Sequence, residues 1–158
     1  MEKRWYKAEL LLKHDRGLGP VFKKTIYLEA ENIIDAQLAA RDKFREEYGA
    51  NLYRATIFIE SMRYYPNTIA EIHKRLMEKF PDAVPERNLE LDKKDPVKIP
   101  GHMLWLMENM QNFKKSKKKT AKAGRWIAWV EHDAHDLGLM KHEEIRRLTE
   151  KDSDEGYI

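Results

Sequence analysis

The first sixty residues alternate between apolar and polar positions in three stretches, which begin near Trp5, Phe22 and Tyr53. A two-residue period of this kind is typical of strands that bury one side. The loop HDRGLGP at residues 14–20 is predicted to join the first two strands as a hairpin, because glycine and proline favour turns. The other side of the strands is polar, and we expect its side chains, including Lys7, to be exposed.

Helical spacing replaces this alternation in two places. Asn32 is a suitable N-cap and Gly49 a suitable end for the first helix. Its apolar residues are Ile33, Ala36, Ala40, Phe44 and Tyr48. The second helix is predicted to begin at Asn67 or Thr68, with Ile69, Ile72, Leu76 and Phe80 along one side. Residues 1–80 therefore read ββαβα, which predicts an α+β fold: a sandwich with helices on one face of a small sheet.

The second half of the chain is predicted to be helical after a connector. Residues 81–101 hold four of the six prolines and read as a proline-rich connector. Residues 102–150 form a helical module of three helices, which begin near His102, Ala123 and Ile145; Gly138 ends the middle one. Residues 151–158 are an acidic tail. A module of about fifty residues is too small for its own core, so we expect it to dock on domain 1–80 or on a second copy, as a homo-oligomer.

Composition narrows the class of protein. With 42% apolar and 36% charged residues in 158, the chain is typical of a globular protein with a charged exterior. It contains no apolar run of about 18 residues, so we expect a cytoplasmic protein that does not enter a membrane. The absence of cysteine excludes disulfides, thiolate metal sites and cysteine nucleophiles.

Charge is distributed unevenly along the last third of the chain. From Lys114 to Trp126 there are seven basic residues and no acid, whereas residues 131–158 hold nine acids and four bases. The lysine run is interpreted either as a solvated connector between helices or as a contact to nucleic acid or another polyanion. Lysine supplies charge without reading bases, so such binding has little sequence preference. The candidate binding residues are Lys114, Lys115, Lys117, Lys118, Lys119, Lys122, Arg125 and Trp126.

Tryptophans follow the lysine run directly. Trp126 and Trp129 flank the apolar side of the predicted middle helix. Aromatic side chains in such a position either stack on the bases of a single strand or supply buried area to a small core. Both interpretations remain open for Trp126 and Trp129.

The motif EHDAHD at residues 131–136 is the strongest chemical pattern in the chain. His132 lies about one helical turn from His135 and from Asp136, so the three residues are candidate metal ligands. The alternative is that they form the polar outer side of a helix whose inner side is apolar. No serine, lysine or carboxylate pair has the neighbours that catalysis needs, so no catalytic residue and no cofactor is predicted.

Three segments of the C-terminal module, PGHMLWLMENM, KAGRWIAWV and LGLMKHEEIRRL, together resemble a pattern in small uncharacterised proteins of tailed bacteriophages. The matching positions are His102, Trp105, Arg125 and Trp126. The resemblance implies a phage-encoded protein that works in the cytoplasm of a bacterial host.

The function expected from the sequence is that of a non-enzymatic accessory protein that binds nucleic acid through the lysine run. One alternative is a protein that binds and modulates a host enzyme, with the acidic C-terminal segment imitating nucleic acid. A second alternative is a metal-dependent enzyme that uses His132 and His135.

Overall fold

Three strands and five helices make up the part of the chain that the computed structural model describes, namely residues 2–12, 22–49, 55–87 and 98–154. The predicted α+β class is confirmed. Contacts divide the chain into two compact units, Met1–Met62 and Arg63–Ile158, which we call the sheet unit and the helical unit. None of the described helices has the length and apolar character needed to cross a membrane.

The sheet unit contains β1 (Arg4–Leu12), β2 (Phe22–Ala30) and β3 (Ala55–Ser61) in the order β2-β1-β3, with both pairings antiparallel. Ala8 lies opposite Ile26 on one neighbour and Ile59 on the other, so apolar positions face the same side in all three strands. The predicted hairpin loop at residues 14–20 and the predicted start of the third strand at Tyr53 lie outside the described residues.

Helix α1 (Ile33–Tyr48) covers the apolar side of this sheet. Its predicted ends are confirmed, because the Asn32 side chain accepts a hydrogen bond from the Asp35 backbone N–H at 2.9 Å and Gly49 follows the helix with a φ of +56°. The core that results is small and apolar. Its buried residues are Tyr6, Ala8, Leu10, Leu28, Ala30, Ala36, Ala40 and Phe44.

Lys7, on the other side of the sheet, is buried rather than exposed, so that expectation was wrong. Only 1% of it is exposed, and its Nζ lies 2.9 Å from Glu9 Oε1 and 3.3 Å from Glu60 Oε1. Burial raises the pKa of Glu9, but contacts with Lys7 and Lys23 outweigh it and hold that pKa below 4.5. The buried ammonium of Lys7 is therefore paired with the carboxylates of Glu9 and Glu60.

The helical unit contains α2 (Pro66–Lys79), α3 (Lys98–Met110), α4 (Lys117–Asp136) and α5 (His142–Asp154). Helix α2 packs against α5 and α3, and α3 packs against α4. The division after Met62 thus groups α2 with the C-terminal helices, whereas the sequence placed it in domain 1–80. Helix α3 begins at Lys98, inside the predicted connector, of which residues 88–97 lie outside the described part.

The start of α2 differs from the prediction, because the N-cap position is Tyr65 and its side chain makes no capping bond. The Asp152 carboxylate caps the helix instead. It accepts hydrogen bonds from the backbone N–H of Asn67 at 2.9 Å and of Thr68 at 3.0 Å. It also accepts from Asn67 Nδ2 at 2.9 Å and Thr68 Oγ1 at 2.6 Å. Because Pro66 has no N–H, the start of α2 offers three backbone donors, and Asp152 satisfies two of them.

Asp152 also corrects the prediction of an acidic tail at residues 151–158. Helix α5 continues to Asp154, and Asp152 is completely buried within it. Residues 155–158 of the predicted tail lie outside the described part. The predicted end of α4 is confirmed: Gly138 has a φ of +72°, and the N–H groups of Gly138 and Leu139 bond to the carbonyls of His135 and Ala134, both at 2.9 Å.

Candidate nucleic-acid interface

Four of the six lysines in the run belong to α4, which begins at Lys117 and not near Ala123 as predicted. Only Lys114 and Lys115 lie in the connector before it, and Ser116 caps the helix by accepting from the Lys119 backbone N–H at 3.3 Å. The first turn of α4 contains no acidic residue. Because a helix N-terminus carries partial positive charge, lysines there are unfavourable for the helix itself. The simple connector interpretation therefore covers two lysines and leaves four unexplained.

Most of this positive charge faces solvent. Lys114, Lys115, Lys117, Lys118 and Arg125 are exposed, whereas Lys119 and Lys122 are half-buried. No ion pair joins any of these side chains to a carboxylate in the described ranges. The structure thus brings the predicted basic residues together on the start of α4 and the residues just before it.

The connector between α3 and α4 is held by hydrogen bonds, of which those of the Gln111 side chain to Tyr64 are buried. Gln111 Oε1 accepts from the backbone N–H of Arg63 at 2.7 Å and of Tyr64 at 3.2 Å, and Gln111 Nε2 donates to the Tyr64 carbonyl at 2.6 Å. The Arg63 guanidinium donates to the Phe113 carbonyl at 3.0 Å, and the Tyr64 hydroxyl to that of Lys114 at 3.3 Å. The backbone that carries the first lysines is therefore held in place while their ammonium groups remain free to reach a ligand.

A continuous row of rings lies beside these lysines, where α3 packs on α4. We call it the aromatic row; its members in spatial order are Phe113, Trp126, Trp105, His102 and Trp129. Successive ring centroids along the row are 4.9, 5.2, 6.0 and 6.1 Å apart. The His102 ring is held by its Nδ1, which donates to the Glu86 carbonyl at 3.0 Å. Separations of this size are typical of aromatic pairs that attract one another.

Lysine and ring contacts interleave at one end of the aromatic row. Lys122 Nζ lies 5.0 Å from the Phe113 ring centroid and 4.9 Å from that of Trp126, and Lys119 Nζ lies 5.2 Å from Phe113. Each is within the range of a cation–π interaction. The basic surface and the aromatic row are therefore a single feature, which we call the basic-aromatic surface.

The two interpretations of the tryptophans, packing in the core and stacking on bases, apply to different residues. Trp126 is half-buried between Phe113 and Trp105, so it contributes to packing, whereas Trp129 is 41% exposed at the far end of the row. Sequence reasoning weighed stacking for Trp129 without listing it among the binding residues, and it did not assign Phe113, Trp105 or His102 to the site. The three-residue step from Trp126 to Trp129 places both on one side of α4, but their ring partners on and after α3 depend on how the two helices pack.

The EHDAHD motif lies at the opposite end of α4, and the structure brings some of its residues together. His132 Nδ1 is 3.5 Å from Asp136 Oδ2, and His135 Nδ1 is 3.7 Å from Asp136 Oδ1. The third group near His132 is Asp133, whose Oδ1 lies 3.5 Å from His132 Nδ1. The His135 ring instead stacks on His142 at 3.8 Å. Sequence reasoning missed Asp133; the available signal was a carboxylate among the apolar inner positions of α4.

Comparisons with known proteins give no match: no family model fits the chain, and no curated protein and no solved structure is significantly similar to it.

Proposed function

We propose that the protein is a non-enzymatic accessory protein that binds nucleic acid, with a preference for single strands, through the basic-aromatic surface. The observation that carries the proposal is the contact of Lys119 and Lys122 with the rings of Phe113 and Trp126. This contact joins the positive charge, which would meet phosphates, to the aromatic row, whose exposed member Trp129 would meet bases. Proteins that bind single strands without sequence preference combine these two elements.

Helix electrostatics support the same proposal. Lysines at the start of α4 oppose the helix dipole, so their cost to the free protein needs a compensating role. A phosphate at this position would meet the lysine ammonium groups and the partial positive charge of the helix N-terminus together. An anionic partner therefore gains from the arrangement that is unfavourable without one.

Action in the cytoplasm of a bacterial host is part of the proposal, and it rests on the resemblance to phage proteins alone. His102, Trp105 and Trp126, three of the four positions that carry the resemblance, belong to the aromatic row.

A second candidate function is binding to a host protein, and it is supported by the outer side of α1. Ile34 and Leu38 lie one turn apart there and are 66% and 55% exposed. Neighbouring exposed apolar side chains are more typical of a protein contact than of a nucleic-acid contact. Binding to a protein through this side of α1 would not involve the lysines of α4. Substitutions in α1 should therefore weaken binding under this second candidate, and substitutions of the α4 lysines should weaken it under the first.

The lysine contribution is tested by changing Lys115, Lys117 and Lys118 to alanine together. We expect weaker binding to an oligonucleotide and a flatter salt dependence, because each phosphate contact contributes a slope of about −0.9 for duplex or −0.7 for single-stranded nucleic acid. The variant should melt at the same temperature or higher, because alanine favours the helix and opposing charge is lost.

The matched control removes three exposed lysines elsewhere, Lys3, Lys43 and Lys74, with the same change in net charge. Binding measured across a salt series should be affected much less by this control. Equal affinity and equal salt slope for the two triple variants would refute the proposed surface.

The aromatic contribution is tested by Trp129→Ala. Loss of a stacking platform should weaken single-strand binding by about 1 to 3 kcal/mol, with a smaller effect on duplex binding. Trp5→Ala is the control, since Trp5 is the tryptophan outside the aromatic row. Fluorescence anisotropy with matched single-stranded and duplex probes makes the comparison. Identical losses on both probes would remove the preference for single strands and leave binding to the phosphates alone.

A further inference from the structure

We propose that His132, Asp133 and Asp136 form a binding site for a divalent transition-metal ion of the zinc class at the C-terminal end of α4. The inference is independent of nucleic-acid binding. One ligand atom from each of these residues lies within 4.8 Å of the other two. Imidazole nitrogen together with carboxylate oxygen is a ligand set that zinc accepts.

The separations of the ligand atoms fit a metal better than they fit hydrogen bonds. His132 Nδ1 is 3.5 Å from an oxygen of Asp133 and 3.5 Å from an oxygen of Asp136. An N–H···O hydrogen bond is usually about 2.7 to 3.2 Å long. Ligands bound to zinc at about 2.0 to 2.1 Å in tetrahedral geometry are separated from one another by roughly 3.3 Å. Two of the three edges of the cluster are close to that value, and the third is no longer than 4.8 Å.

The Asp133 carboxylate gives a second, independent argument. Its side chain is only 7% exposed, and its Oδ2 is buried without a hydrogen-bond partner among the described residues. A buried carboxylate oxygen without a donor is costly unless a cation compensates the charge of the group. Since Asp133 Oδ1 belongs to the cluster with His132, a metal ion bound there would supply this compensation.

Position in the helix adds to the argument. The C-terminal end of a helix carries partial negative charge, which favours a bound cation. The other two side chains are accessible, because those of His132 and Asp136 are 64% and 57% exposed. An ion can therefore enter from solvent, and three protein ligands leave coordination positions open for water or for an anionic ligand.

The site is tested with Zn²⁺ and Co²⁺ alone, on the full chain without an affinity tag and stripped of metal by a chelator. We expect saturable binding of a single ion by calorimetry, and Co²⁺ should give the visible absorption of a low-symmetry, four- or five-coordinate complex. His132→Gln and Asp136→Asn should each weaken binding by more than about tenfold.

His142→Gln is the matched control, because it removes a histidine that lies near His135 but outside the cluster. Its affinity for Zn²⁺ should equal that of the unchanged protein. A loss as large as that of His132→Gln would move the site to the stacked pair His135 and His142 and overturn the proposal. Absence of saturable binding in the unchanged protein would overturn it as well.

Asp133→Asn gives a readout that does not depend on measuring affinity. Without metal, this variant should melt at a higher temperature than the unchanged protein, because a buried uncompensated charge is removed. Added Zn²⁺ should raise the melting temperature of the unchanged protein but not that of the variant. A variant that melts lower without metal, or that is stabilised equally by Zn²⁺, would contradict the assignment of Asp133 as a ligand.

Discussion

Each of the two units of this chain is stabilised internally by a different kind of contact. The sheet unit buries one apolar layer between α1 and the strands, and its residues follow the sequence period that predicted them. In the helical unit, two buried polar side chains, Gln111 and Asp152, each bond to a segment more than forty residues away. The comparison shows that periodicity predicts which face of an element is buried, but not which distant backbone a buried polar group will satisfy.

The largest effect is expected in the core of the sheet unit, from Phe44→Ala. Phe44 is completely buried, so its truncation should reduce the free energy of unfolding by about 3 to 5 kcal/mol. Hydrogen exchange should show the loss of protection at the amides of β1. Leu38→Ala, on the exposed side of the same helix, is the control and should change stability by less than about 0.5 kcal/mol. Similar losses for both variants would mean that the apolar layer does not stabilise this unit.

A smaller effect is expected from Asp152→Ala in the helical unit. The change leaves the Asn67 and Thr68 donors without their carboxylate, which should cost about 3 kcal/mol. Exchange protection should fall first in the opening turn of α2. Asp154→Ala removes an exposed acid from the same end of α5 and serves as the control. If the two variants melt at the same temperature, buried hydrogen bonds between distant segments are not what distinguishes the helical unit.

The smallest effect is a difference in pH dependence between the units. Lys7 and Lys23 outweigh burial and lower the pKa of Glu9 below 4.5, so its contribution to stability is present above that pH and lost as pH falls through the folded pKa. Burial and the nearby Asp152 raise the pKa of Glu131 despite its hydrogen bond from Thr149. Its contribution is therefore present below pH 4.5 and lost as pH rises through the folded pKa.

Glu9→Gln and Glu131→Gln should consequently change the pH profile of stability in opposite directions. Acidification from neutral pH should narrow the stability difference between the unchanged protein and Glu9→Gln. The same titration should shift the difference for Glu131→Gln in favour of the unchanged protein. Denaturant melts at several pH values measure both. Profiles that move in the same direction would show that the two carboxylates lie in similar electrostatic environments.

Local signals in the sequence predicted much of the fold. The strand alternation, the Asn32 cap and the Gly49 and Gly138 ends are confirmed, because each depends on residues within a few positions of one another. The cap of α2 was wrong, because its carboxylate comes from Asp152, more than eighty residues later. Lys7 was assigned to the exposed side by alternation, which carries no information on its carboxylate partners.

The positive charge of the candidate interface was predictable from the sequence, but the contacts between its side chains were not. A lysine run is visible in the sequence, whereas the contacts of Lys119 and Lys122 with Phe113 require the turn between α3 and α4 to bring them together. The start of α4 was placed too late because lysines at a helix N-terminus oppose the dipole and resemble a loop. The function assigned to these residues stays a prediction.

The aromatic row also gives this molecule an optical property. Three of the four tryptophans of the chain, Trp105, Trp126 and Trp129, belong to the row. The ring centroids of Trp105 and Trp126 are 5.2 Å apart. Indoles this close share their excited states, so they should produce a paired positive and negative band in circular dichroism. Emission from the exposed Trp129 should shift whenever a ligand covers it. The chain therefore carries an internal reporter at its proposed binding surface, and no added dye is needed to follow occupancy.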